Sequence, residues 1–388
     1  MTTTGLVAER EREGRPEVDA RPTPWGSILL WAVVGTVLGV LLVVLDLSST
    51  SSTQGGLVHT GPTGPAAELI AEDFPDQAQY TYGESDGPMF YAVARDLWDL
   101  DTAAESLDRP RYRLNRPVYP LLGWALHPNG GGDGLVAALL LVNVAAMAVG
   151  AIAMGLLSHA WGGPRWLGVL VPLLPGAQVA ARITCADLVA TSLMLLAVAL
   201  HVRGRWRWAI PVAVLAVLTK EPVLLTFIGL AIWRRDRRTT LLAVAPAAAF
   251  VAWSLWIRSR FADSGEDVIE LGAPFVGLVD AVRRTWSEGD NTYTLVTLVV
   301  LVALVAVGLA RHGLRHPLSL ALLANLALVS LLLITPLALD RNGPRSVLPA
   351  MAVAILIAAT PRRADLRWPA PASGPGSAVD GALHAGEA

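Results

Sequence analysis

Long apolar runs separated by short polar intervals dominate the chain from residue 27 onward. The first, at 27–46, has about twenty residues, enough to cross roughly 30 Å of hydrocarbon. No small-residue cleavage pattern follows it, so it is expected to stay in place as the first helix. Further runs occupy 134–158, 166–180, 183–202, 206–219, 222–233, 240–257, 292–310, 317–336 and 346–360. The pattern predicts an all-α, polytopic integral membrane protein with about ten transmembrane helices. Residues 1–26 and 361–388 read as disordered cytoplasmic tails, 27–360 as the multi-span domain, and 47–133 as a large first extracytoplasmic loop. The two runs flanking Lys220 are short for a span, and a re-entrant hairpin there would lower the count by two.

The interval at 82–124 is denser in aromatic and charged residues than any other between runs. Ser85-Asp86-Gly87-Pro88 has the chemistry of a helix start, with a carboxylate able to cap free N–H groups and a proline tolerated in the first turn. Met89, Phe90, Val93, Ala94, Leu97 and Trp98 recur at helical spacing, with Arg95, Asp96 and Asp99 on the other side. That predicts an amphipathic helix lying on the membrane surface. A second begins at Arg116, where Val118, Leu121, Leu122 and Trp124 form an apolar face.

Asp86-Gly87, Phe90-Tyr91, Ala94-Arg95-Asp96, Tyr112-Arg113, Arg116 and Tyr119-Pro120-Leu121-Leu122 together resemble the first extracytoplasmic loop of GT-C glycosyltransferases. The likeness is to mannosyltransferase-like, multi-span enzymes that take their sugar from a polyprenyl-phosphate carrier. It covers about forty residues, with weaker echoes at Lys220-Glu221-Pro222 and over 341–349.

Composition sharpens this picture. The chain is 53% hydrophobic and 16% charged, outside the balance of soluble domains. Cys185 is the single cysteine, which excludes an intramolecular disulfide framework and a cysteine-based zinc site. Arg165, Arg203, Arg205, Arg207, Arg234, Arg235, Arg237, Arg238, Arg311 and Arg315 fall in alternate short loops, opposed only by Asp236. The positive-inside rule then puts those loops and both termini in the cytoplasm. Trp25, Trp161, Trp166, Trp206, Trp208, Trp233 and Trp368 sit at the same span ends, where amphipathic rings prefer to lie. No internal repeat is visible. No glycine-rich phosphate loop follows a strand, and nothing points to nucleic acid as a partner.

With this topology the remaining polar groups collect on the outer side: Asp86, Arg182 with Asp187, Lys220 with Glu221, and Asp340-Arg341 with Arg345. Charge near lipid is costly, so such groups usually serve a cavity or a partner. Each also has a plain structural reading. Asp86 next to Gly87, where a substrate could approach closely, is either a general base or a helix cap. Lys220 is a cation for a lipid-linked phosphate, positioned by Glu221, or the two form a self-neutralising pair. Arg341 and Arg345 are phosphate ligands or interfacial anchors. Arg116 faces the same choice, whereas Arg113 reads as a partner for the acidic loop around it. Asp99-Leu100-Asp101 fits the Asp-x-Asp pattern that holds a divalent metal, but a wet helix face is the better reading, so no cofactor is expected.

The resemblance implies the roles. Asp86 would be the base, and Lys220 and Arg345, with Glu221, Arg116 and Arg341, would receive the donor phosphate. Tyr91 and Tyr119 would line the sugar site. The expected function is transfer of a hexose from a polyprenyl-phosphate donor to an extracytoplasmic glycan, lipid or protein acceptor in the cell envelope, with an inverting outcome. The rival readings are a lipid or polysaccharide transporter and a non-catalytic membrane assembly protein.

Overall fold

The computed structural model describes residues 23–49, 58, 61, 63–75, 85–128, 130–262, 271–284, 292–337, 340, 342–362 and 368. Arg341 and most of the two tails lie outside the described residues. Among those described there is no strand, only an isolated antiparallel bridge between Leu271 and Leu332. The helices are α1 (Trp25–Ser49), α2 (Ala67–Asp73), α3 (Gly87–Arg95), α4 (Leu100–Glu105), α5 (Pro110–Leu114), α6 (Val118–Leu126), α7 (Asp133–Ala160), α8 (Leu170–Leu173) and α9 (Pro175–Arg182). They continue as α10 (Asp187–Val202), α11 (Trp206–Thr219), α12 (Leu224–Arg234), α13 (Arg237–Arg260), α14 (Val276–Arg284), α15 (Thr292–His312), α16 (Ser319–Leu331), α17 (Gly343–Ser346) and α18 (Leu348–Ala359). Tight 3-10 turns occupy Arg165–Val169 and Glu221–Val223.

By length and composition α1, α7, α13 and α15 can each cross a membrane, and α10, α11, α16 and α18 are shorter apolar helices. Among the described residues the chain is all-helical, with helices whose length and composition suit a membrane protein. α1 turns Leu29, Leu30, Val33, Val37, Leu41 and Val44 outward and Ile28, Ala32 and Val43 inward, as a helix between lipid and protein should. α10 and α18 are buried around most of their circumference, enclosed by other helices. They form the centre, with α10 packed on α7 and α11, and α18 on α15 and α16.

The run at 166–180 is broken into the 3-10 turn, α8 and α9, because Pro172 and Pro175 interrupt the helical hydrogen bonding. It nevertheless keeps pace with α1. The Arg165 carbonyl and Ile28 both lie beside Gly155, Val169 lies against Gly35, Pro172 lies against Gly39, and Arg182 reaches Asp46 at 3.2 Å. From Ile28 to Asp46 α1 rises about 27 Å, so the broken segment covers a comparable depth.

Contacts at the element ends sort the connections into two groups. At one end Arg203 donates to Thr23 and stacks over Trp25, and His201 meets Thr239. At that same end Trp233 donates to the Leu314 carbonyl, Arg311 to that of Ala358, and Arg234 lies over Trp368. At the opposite end Arg111 donates to the Phe261 carbonyl, Arg260 pairs with Asp101, Arg116 pairs with Glu221, and Thr294 with Asp340. α11 and α12 both lie between these two groups and meet at the Lys220 junction, on the Arg116–Glu221 side.

The loop helices depart from the expected surface arrangement. α3 is buried from Gly87 through Ala94 and packs against α6 and α7, so its apolar residues face protein. α14 falls in a stretch read as loop. It buries Gly277 and Ala281 against the end of α16 and exposes Val276, Val279 and Val282.

Candidate functional site

A cavity of about 630 Å³ opens between Ser85-Asp86 just before α3, α5, the start of α10, the α11–α12 junction, α13, the end of α16 and α17. Charged groups fill one side of it. Asp86 ends the loop before α3, and its side chain does not cap that helix. The Ser85 hydroxyl instead accepts from Gly87 N at 3.2 Å. This leaves the Asp86 carboxylate to two guanidiniums: Oδ1 accepts from Arg113 Nη1 at 2.5 Å and Oδ2 from Arg345 Nη1 at 2.5 Å. Gly87 has a packing role rather than the substrate-approach role suggested by sequence. A Cβ there would collide with the Ile183 carbonyl and meet Val58 O at 2.9 Å.

Asp187, the first residue of α10, is 4% exposed, and its carboxylate pairs with Lys220 through Oδ1 and with Arg345 Nη1 at 3.3 Å through Oδ2. Lys220 thus belongs to Asp187, not to Glu221. Glu221 takes Arg116 in a two-point pair, Nε to Oε2 at 3.0 Å and Nη2 to Oε1 at 2.7 Å. Arg116 also donates to the Tyr112 hydroxyl at 2.7 Å and stacks over that ring at 4.2 Å. Arg182, expected beside Asp187, pairs with Asp46.

Five cations (Arg109, Arg113, Arg116, Lys220, Arg345) and four carboxylates (Asp86, Asp108, Asp187, Glu221) line the cavity, leaving one positive charge. The other side is apolar, built from Leu224, Leu225, Phe250, Leu328 and Leu332. Burial alone would raise the Asp86 carboxyl, but the charges of Arg345, Arg113 and Lys220 outweigh it and hold the group well below the usual carboxylate range.

Of the residues singled out from sequence, the fold brings together Asp86, Arg116, Lys220, Glu221 and Arg345. Tyr91 and Tyr119 are elsewhere, fully buried in the protein. The Tyr91 hydroxyl donates to Asp73 and accepts from Gly132 N, both at 2.5 Å. That of Tyr119 donates to the Leu139 carbonyl at 3.2 Å and accepts from Asn143 at 2.8 Å. With their hydroxyls committed to structure, neither ring lines the cavity. Asp99 caps α4 through Thr102, and Asp101 turns to Arg260, so the two do not converge on one point.

Sequence reasoning passes over Asp108, and it notes Tyr112, Arg113 and Asp187 without giving them a role in the site. Arg109, Arg113 and Arg116 are four and three residues apart, and α5 together with its flanking residues brings them to the cavity, Arg109 at its N-cap and Arg116 just past its end. Comparison of the chain with protein families, curated proteins and solved structures finds no match.

Proposed function

We propose that this protein is a ten-span membrane glycosyltransferase of the GT-C kind, moving a sugar from a polyprenyl-phosphate donor to an acceptor on the face opposite its arginine-rich loops. One observation carries the reading. The cavity joins a cluster of cations with one charge in excess to an apolar wall, the two halves needed for an anionic headgroup on a hydrocarbon chain. The ten spans are α1, α7, the broken segment 165–182, α10, α11, α12, α13, α15, α16 and α18. Their arginine-bearing connections gather at the end away from the cavity, which supports cytoplasmic termini and an outward-facing site. No nucleotide sugar is supplied on that side, so an activated sugar must arrive on a lipid.

In this reading the acceptor hydroxyl gives its proton to the Asp86 carboxylate as its oxygen bonds to the anomeric carbon. The bond from that carbon to the phosphate oxygen breaks, and its electron pair leaves with the polyprenyl phosphate. Arg345, Lys220 and Arg113 stabilise the charge growing on that oxygen. Arg116 and Glu221 hold α5 against the α11–α12 corner and thereby shape the cavity. The test is incubation of the purified protein with a panel of labelled polyprenyl-phosphate sugars and envelope acceptors. Transfer of label with release of polyprenyl phosphate is expected. Binding without transfer would replace the enzyme by a transporter, and neither by an assembly protein.

A further inference from the structure

The following inference rests on reading the cavity as a lipid-phosphate site. In the ligand-free protein both carboxylate oxygens of Asp86 are occupied by guanidinium N–H groups. A carboxylate so neutralised has little affinity for a proton and no free oxygen directed at a substrate hydroxyl. The same two guanidiniums line the cavity that a donor phosphate would enter. Each also has a second anchor. Arg113 is held by Asp108 through two bonds, at 2.8 and 3.0 Å, and Arg345 by the Asn342 side-chain oxygen at 2.7 Å. Either can therefore turn away from Asp86 without losing its place in the wall. Arg345 Nη1 is moreover shared between Asp86 at 2.5 Å and Asp187 at 3.3 Å, a divided donor that a more highly charged acceptor can claim.

We propose that Asp86 is a latch: the phosphate of the lipid donor takes Arg113 and Arg345 from it, and this exchange creates the free carboxylate that acts as base. The exchange keeps both cations paired, and the one charge it leaves unpaired is the Asp86 carboxylate, which borders the cavity. It also replaces two neighbouring positive charges by a neighbouring anion, which moves Asp86 toward stronger basicity when the donor is seated. Donor binding then precedes acceptor activation, and Arg113 serves in turn as partner of Asp86 in the empty site and of the phosphate in the filled one.

The latch makes a prediction opposite in sign to that of a carboxylate that simply helps to hold the site together. The full chain in lipid nanodiscs is titrated with a short polyprenyl phosphate lacking sugar, so that no turnover occurs, with the uncharged polyprenol and inorganic phosphate as companion ligands. Asp86→Asn removes the competitor and is expected to bind the polyprenyl phosphate about tenfold more tightly than wild type, with the polyprenol unchanged. Arg113→Gln is expected to bind it more weakly. Asp187→Asn, which also competes for Arg345, should shift in the same direction as Asp86→Asn and decides the matter if the latter fails to fold by melting. Tightening toward inorganic phosphate as well supports the exchange with the headgroup alone. Binding that is unchanged or weaker in the folded Asp carboxamide variants overturns the latch and leaves the transferase reading standing. A wild type that does not distinguish the phosphate from the polyprenol overturns both.

Discussion

Lys220 is the extended residue that ends α11, with φ −161° and ψ 116°, and Glu221 opens the 3-10 turn after it, so the two side chains leave the backbone toward different partners. Their replacements should therefore differ in kind. Arg116 is 2% exposed, and Arg116→Gln would strand Glu221 and unstack Tyr112. Because Glu221 keeps contact with the cavity, the expected loss is about 2 kcal/mol, below the range for a fully enclosed pair, and is read by thermal melting. Lys220→Gln leaves Asp187 still bonded to Arg345, so stability should hold while turnover falls about 10²-fold. A variant Lys220→Gln that melts early and turns over normally would make this pair structural. At this scale the residue types in the site were legible from sequence, but their pairing was not. Adjacency suggested Lys220 with Glu221 and span ends suggested Arg182 with Asp187, whereas the pairs actually form between elements more than thirty residues apart. Likewise the hydroxyls of Tyr91 and Tyr119 give no sequence sign that backbone groups of α7 or its approach will claim them.

Elements are held at the end away from the cavity by capping that can be tested separately from the site. Between α12 and α13 the chain reverses through Arg235 in the left-handed region, φ 54°, and Asp236 then accepts from Arg238 N at 2.9 Å and Thr239 N at 3.1 Å. Partial burial works against ionisation, but bonds from Thr239 and Arg234 hold the Asp236 carboxyl at about 2. A carboxyl depressed from 3.8 stabilises the fold fully above that value and loses its contribution as pH falls toward about 2. Asp236→Ala should cost about 1 kcal/mol at neutral pH, and melting curves of variant and wild type should converge near pH 2. A constant gap between them at all pH values would assign the corner to other contacts. Most elements could be read from the apolar pattern: 206–219 coincides with α11, and 134–158 lies within α7. The departures have physical causes. Prolines divide 166–180, and α4, α5 and α14 are too short and too polar for periodicity to separate them from loop.

For the whole molecule, the separation of its two ends is the feature from which sidedness follows. Thr63 and Ala273 are exposed on segments at the cavity end, and at the other end Arg237 is exposed and Gly204 half-buried. Cys185 is fully buried, so single cysteines can be read against the native background. In intact cells an impermeant maleimide should label cysteine at the first two positions and spare the last two. The reverse pattern would turn the cavity toward the cytoplasm and remove the reason for a lipid-borne donor. The most direct measurement of the central claim is release of polyprenyl phosphate from a labelled polyprenyl-phosphate sugar by purified wild type, Asp86→Asn and Asp96→Asn, each checked for folding and for donor binding. Asparagine nearly preserves the size of Asp86 but not its capacity to take a proton, and Asp96 lies outside the cavity at the end of α3. The account predicts transfer by wild type, near-normal transfer by Asp96→Asn, and a loss of about two orders of magnitude or more in Asp86→Asn with donor binding retained. Normal transfer by Asp86→Asn would contradict it.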